Sequence, residues 1–265
     1  MFFRIGHGRN RCARRPRHGF TLVELLVVVV IIAILASFLV PAVWTAIANA
    51  RDAKIKVEVA LLSSAVETYK AEYGAYPPAD FSNFESRALV LRHINRIFPR
   101  QTDFASVAAL PDLSEPQALV FWLRGFSPDP QSPFFGDGDR TPIFDFNRTQ
   151  LSADLHSTAP YPVYWPQDGL ETPYVYFSKT YVGKSYSVSV PLTGTARPYL
   201  LDDLLDGGTT YAAEGKFQII SAGQDGHYGD GDDVGQYPSG MGYAAGDRDN
   251  VVNFSQGATL ENDRP

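Results

Sequence analysis

From Leu25 to Val40 the chain holds nothing more polar than Ser37, and the apolar run is continuous rather than striped. A helix that is apolar all round belongs in lipid or inside an assembly of helices. Counted from Phe20, about 21 helical residues rising roughly 1.5 Å each span about 31 Å, the thickness of a bilayer's hydrocarbon core. Beyond Pro41 the pattern changes. Ile55, Val59, Leu62, Val66, Tyr69 and Tyr73 recur at intervals of 4, 3, 4, 3 and 4, while Lys54, Lys56, Glu58, Glu67, Lys70 and Glu72 take other faces. This period predicts an amphipathic helix whose stripe is covered by a folded domain, although a coiled coil with another chain would show the same stripe. Gly74 and Tyr76-Pro77-Pro78 end it. Pro41 removes one backbone hydrogen bond between the two patterns and is expected to kink or loosen the helix there.

Downstream, Glu85–Phe98 reads as helical. Ser114-Glu115-Pro116-Gln117 ahead of "ALVFWLRG" is a capping-box start with Gly125 as its stop, so a second short helix is predicted. Phe126–Phe146, rich in Pro, Phe and Asp, reads as an ordered loop pinned by aromatics. Those rings either pack beneath the loop or stand exposed for a partner. Strands are predicted at Pro173–Ser178, Tyr186–Val190, Phe217–Ser221 and Val251–Phe254, each β-rich and bounded by turn residues. Helices first and strands after give an α+β fold: a long N-terminal helix packed on a small antiparallel sheet with loop insertions. No internal repeat is visible.

Charge sharpens this picture. Arg4, Arg9, Arg11, Arg14, Arg15 and Arg17 precede the apolar run with no acid among residues 1–19. The positive-inside rule then keeps the N-terminus cytoplasmic and exports the chain beyond Pro41. Without that leader, 17 basic residues face 29 acidic ones, a net of −12. Such a remainder has no basic patch for a nucleic-acid backbone. The single cysteine, Cys12, lies in the leader, so the rest of the chain has no disulfide to rest on.

One residue breaks the apolar pattern. Glu24 stands in its first turn, where an ionised carboxylate costs about 2.5–3.5 kcal/mol in a membrane. In a plain signal anchor it would be an interfacial accident. A cleaved secretory signal would instead be cut near Ala48-Asn49-Ala50. The stretch Gly19-Phe20-Thr21-Leu22-Val23-Glu24, followed by an apolar helix with Pro41, resembles the N-terminus of type IV pilins and type II secretion pseudopilins, and Leu61–Pro78 resembles the end of the pseudopilin long helix. The resemblance implies that a prepilin peptidase/methyltransferase cuts between Gly19 and Phe20 and methylates Phe20. It divides the chain into a leader (1–19), a transmembrane and assembly helix (20–41), the amphipathic half of that helix (42–76) and a globular head (77–265). Glu24 then reads as an assembly residue, pairing with the Phe20 amine of a neighbouring copy. Such a pair offsets a burial cost and fixes register.

Residues 219–235, "IISAGQDGHYGDGDDVG", come directly after a strand and offer carboxylates among glycines. Calcium takes six to eight oxygens from carboxylates and carbonyls, and glycines let backbone carbonyls turn inward. The spacing is not that of an EF-hand, because counting from Asp230 puts Met241 at the twelfth position. The stretch resembles the calcium loop of the major type II pseudopilin. The resemblance implies a structural Ca2+ on Asp225 and Asp232 with the Ser221 carbonyl, Asp230 and Asp233 standing in reserve. Gly136–Asp139 repeats "GDGD" as a second weak site or a turn, and Asp247, Asp249, Asn250 and Asn253 are further oxygens of less weight.

Signs of catalysis are few. His93, His156 and His227 lie far apart, neither a G-x-S-x-G elbow nor an H-E-x-x-H helix occurs, and "VGKS" (Val182–Ser185) lacks the earlier glycine of a phosphate loop. The sequence is therefore expected to specify a structural subunit rather than an enzyme. It would sit in the inner membrane with its head in the periplasm and polymerise with itself or other pseudopilins on an inner-membrane assembly platform. A minor type IV pilin and a permanently anchored binding protein that never polymerises are the alternatives.

Overall fold

The computed structural model describes residues 19–79, 84–102, 110, 112–134, 140–155, 161–166, 170–178, 188–190, 193–202, 210–213, 215–230 and 234–265. The chain forms two compact units, one up to Ile47 and one from Ala48 to Pro265. Helix α1 runs Leu22–Tyr73 and continues through Pro41. Proline takes one donor from the ladder, and two hydroxyls bond back to the helix on either side of it. Ser37 Oγ donates to Ile34 O at 2.7 Å and Thr45 Oγ1 to Pro41 O at 3.1 Å.

In the second unit the predicted stripe holds. Ile55, Val59, Leu62, Ala65, Val66 and Tyr69 are buried, and Tyr73 packs beside them. The cover comes from the same chain, so the stripe is the seat of the head rather than a coiled-coil seam. Helix α2 (Phe84–Ile97) and helix α3 (Glu115–Leu123) lie within one residue of the stretches read as helical. Gln117 Oε1 accepts from both the amide and the hydroxyl of Ser114, at 3.0 and 3.1 Å. The stop at Gly125 has a steric cause. Its φ is +81°, and a Cβ there would lie 1.9 Å from Thr141 O.

The main sheet is antiparallel in the order β1–β5–β7: Val175–Ser178, Phe217–Ser221 and Val251–Val252. Val175 faces Ile220, and Ser221 faces Val251. Each strand is shorter than its predicted stretch or equal to it. Period two sorts their side chains onto two cores. Tyr174, Tyr176, Phe217, Ile219 and Val251 join the core under α1 and α3, with Phe121 and Trp122. Val175, Phe177, Ile220 and Val252 join a second core with Tyr199, Tyr228 and Leu260. The sheet is thus buried on both faces, between helices and the C-terminal segments.

Two short ladders complete the strands. Strands β2 (Val188–Val190) and β3 (Gly194–Ala196) pair antiparallel, and β4 (Leu200–Leu201) pairs parallel with β6 (Gln236–Tyr237). Strand β2 falls within the predicted Tyr186–Val190, while β3, β4 and β6 lie outside the predicted stretches. Within the 126–146 loop, Phe126, Phe134 and Phe146 are buried, so the rings pack beneath the loop. Phe121 and Phe134 stack at 5.6 Å, and Phe126 meets Tyr73 edge-on at 5.5 Å. Residues 136–139 and "VGKS" lie outside the described residues.

Polar anchors tie α1 to the head. Glu58 Oε1 accepts from Gln150 and from the Tyr164 hydroxyl, each at 2.7 Å, and its Oε2 accepts from the Tyr174 hydroxyl at 2.7 Å. Lys56 Nζ donates to Val252 O at 2.7 Å and Ser255 O at 2.8 Å, and burial lowers its pKa. Trp122 Nε1 donates to Pro78 O at 2.8 Å and the Tyr176 hydroxyl to Pro77 O at 2.9 Å, fixing the exit from α1. His93 is buried in the same core, shares a 2.8 Å hydrogen bond with Tyr69 and meets Trp122 edge-on at 5.3 Å.

Candidate functional site

The sequence points to two sites, one at the start of α1 and one in the acidic loop. At the first, a Cβ added to Gly19 would meet nothing within 4 Å. The fold itself therefore does not demand glycine there. Phe20 is 77% exposed. Glu24 has a local role besides its charge. Its Oε2 accepts from Thr21 N at 2.9 Å and Thr21 Oγ1 at 2.8 Å, and its own amide donates to Thr21 Oγ1 at 3.2 Å. This reciprocal arrangement is a capping box, Thr-x-x-Glu, satisfying amides that the first turn would otherwise leave unpaired. Its signal in the sequence is Thr21 three residues ahead of Glu24. Oε1 of Glu24 has no partner among the described residues.

From Leu22 to Val43 every large apolar side chain stands exposed, and among the described residues α1 is the one helix long and apolar enough to cross a membrane. The first unit thus presents an uncovered apolar rod that opens with a carboxylate.

The acidic loop comes after β5. Ser221 is fully buried, and its Oγ has no hydrogen-bond partner. Asp225 closes a tight turn, its Oδ1 accepting from His227 N at 2.7 Å. The residue that meets this loop is Asp249, of little weight on spacing alone. Its Oδ2 accepts from Gln224 N at 2.8 Å and Asp225 N at 2.9 Å, while its buried Oδ1 has no partner. A Cβ on Gly223, whose φ is +63°, would lie 2.2 Å from Asp249 O, so glycine permits this approach. Gln224 continues inward, donating to Ala48 O at 2.8 Å and Asp52 Oδ1 at 2.6 Å.

Asp247 lies close by. Its Oδ1 accepts from the Tyr199 hydroxyl at 2.7 Å and its Oδ2 from Ala244 N at 2.7 Å. Burial raises the pKa of both Asp247 and Asp249, and the charge of Asp225 raises each further. Hydrogen bonds to the carboxylates oppose that rise. Asp230 is exposed, with Oδ1 3.1 Å from where a Gly194 Cβ would sit. Asp232 and Asp233 lie outside the described residues.

The structure therefore joins Asp225 to Asp249 and Asp247 across about two dozen residues of chain. No group of three or more acids, histidines or cysteines converges closely enough to hold a metal among the described residues. In donor chemistry the loop nevertheless fits a hard cation. Ser221 Oγ and Asp249 Oδ1 are buried without partners, and the charge of Asp225 acts against both Asp247 and Asp249. His93 and His227 do not meet at any site. His93 belongs to the helical core, His227 lies exposed in the acidic loop, and His156 is outside the described residues.

Residues 14–40 match the prokaryotic N-terminal methylation motif. Its N-terminal region is similar to type II secretion system core protein G. It is 41% identical to that of Pseudomonas aeruginosa over 64 residues, 24% of this chain and 45% of the relative. With the Vibrio cholerae protein it shares 41% over 66 residues, 25% of this chain and 45% of the relative. With the Klebsiella michiganensis protein the figures are 37% over 67 residues, 25% and 47%. The matched stretch spans about half the length of these relatives. No solved structure matches the chain significantly.

Proposed function

We propose that this chain is a structural subunit of a type II secretion pseudopilus, made as a precursor, cut between Gly19 and Phe20, N-methylated on Phe20 and polymerised through α1. The observation that carries this reading is the apolar first half of α1, which the chain leaves uncovered and which opens with Glu24 inside a methylation motif. In a lone helix that carboxylate only caps its own first turn, whereas a staggered helix stack also offers it the Phe20 amine of a neighbour. The capping box engages Oε2 and leaves Oε1 for that pairing. Before assembly the subunit is held in the inner membrane, N-terminus in the cytoplasm and head in the periplasm. Its partners are other copies or other pseudopilins, the prepilin peptidase and the inner-membrane assembly platform. The work is mechanical, not catalytic.

Glu24 variants test this reading. With normal insertion and processing, Glu24→Ala and Glu24→Gln both lower recovery of the chain in sheared filaments at least about tenfold, since an ion pair buried among helices is lost either way. Gln retains part of the cap, so its failure separates pairing from capping. Normal filament incorporation of Glu24→Ala would overturn the assembly role.

We also propose that the acidic loop is a calcium loop, held by Asp225 and Asp249 near Ser221, with Asp232 completing the set and Asp230 and Asp233 in reserve. Bound calcium would neutralise the repulsion of Asp225 with Asp247 and Asp249 and join the loop to the C-terminal segment. In the full chain in detergent, calcium then raises the melting temperature by several degrees at saturation. Asp225→Ala and Asp249→Ala each remove that rise; a flat titration of the wild type contradicts the site.

A further inference from the structure

Arg124, at the C-terminus of α3, is only 4% exposed. A guanidinium stays charged and is rarely buried without an acid beside it. Among the described residues no carboxylate bonds to Arg124. Its Nη1 donates to Leu155 O at 3.1 Å, and its buried Nε has no partner. The rings of Phe121 and Tyr161 have their centres 5.1 and 5.5 Å from its Cζ.

A second guanidinium approaches the same turn. Arg140 Nη1 donates to Gly125 O at 3.1 Å, the carbonyl next along the chain from Arg124, and Nη2 donates to Phe134 O. Among the described residues Arg140 has no acid partner either. Burial pulls the Arg124 pKa down to about 10, and the charge of Arg140 pulls it lower, so the two cations feel each other. Tyr161, whose ring centre lies 5.5 Å from the Arg124 Cζ, raises the pKa of both. Backbone carbonyls supply only partial charge to the buried Arg124 and the half-buried Arg140. The group that would complete the cluster is an anion whose oxygens accept from guanidinium edges and a phenol together.

We infer that Arg124, Arg140 and Tyr161 form a seat for a small inorganic oxyanion of the phosphate type, apart from the processing segment and the acidic loop. Guanidinium edges match the spacing of phosphate oxygens, and the burial of Arg124 favours a small ion over a macromolecular side chain. The seat depends neither on filament assembly nor on calcium, and it is tested without either.

The full chain in detergent, in calcium-free buffer at fixed pH, is melted in phosphate and in chloride at matched ionic strength. Phosphate raises the wild-type melting temperature by about 3–6 °C at saturation, and equilibrium dialysis with labelled phosphate finds about one ion per chain. Arg140→Gln, at a half-buried position, loses both effects while keeping its far-ultraviolet spectrum. Should that variant fail to fold, wild-type dialysis decides alone. No retained phosphate, or an equal temperature rise in wild type and Arg140→Gln, overturns the seat.

Discussion

The two halves of α1 are built from the same kinds of residue, yet their side chains have opposite fates. Leu25, Ile32 and Phe38 in the first half are 59, 59 and 74% exposed, whereas Val59, Leu62 and Val66 in the second are wholly buried. Burying an aliphatic side chain stabilises by about 1.5–3 kcal/mol. The second half obtains that within its own chain; the first can obtain it only from lipid or from other helices. One helix therefore serves two environments, and its polar residues differ to match. In the head half, Lys56 and Glu58 reach carbonyls, hydroxyls and an amide of the same chain. In the anchor half, Glu24 caps its own first turn and keeps one oxygen unpaired.

The contrast can be broken most forcefully in the head. Trp122 is fully buried against Tyr69, His93 and Phe126. Trp122→Ala is expected to cost about 3–5 kcal/mol of head stability, read as a lowered midpoint in denaturant. Ile32→Ala, an exposed truncation in the anchor, leaves that midpoint unchanged. Equal effects of the two would erase the distinction between the halves.

A smaller effect comes from pH. Burial, with the nearby charge of Arg96, pushes the His93 pKa down to about 4 from an ordinary value near 6.5. The folded state thus resists protonation that the unfolded chain accepts. Stability from this residue is complete above about pH 6.5 and is lost progressively as the pH falls towards 4, amounting to about 3 kcal/mol at most. Denaturation midpoints measured between pH 7 and 4 should decline, and His93→Phe should flatten the decline. A profile that His93→Phe leaves unaltered would show that another group sets the pH dependence.

How far the sequence could be read depends on how local the cause is. The α1 stripe and the Ser114–Gln117 cap arise from residues near one another in the chain, and both stand in the structure. The strand runs at Val175, Phe217 and Val251 were legible as β-rich segments. Their double-sided burial was not, because it needs the Tyr199 and Leu260 segments behind the sheet. The two-residue ladder of β4 and β6 is too short to show any period. The Thr21–Glu24 cap was present in the sequence but was overshadowed by the cost of the charge. The approach of Asp249 to Asp225 is a tertiary contact over 24 positions, for which no spacing rule exists. That is why the acidic loop was legible while the residue across from it carried little weight.

The central claim is that the chain is processed as a prepilin, and the mass of its N-terminal peptide, from protein purified out of host membranes, tests it directly. A chain beginning at Phe20 and one methyl group heavier than the bare residue is the predicted result. A chain beginning at Met1, or at Arg51 after the Ala48-Asn49-Ala50 stretch, would contradict it, and the filament reading would fall with it.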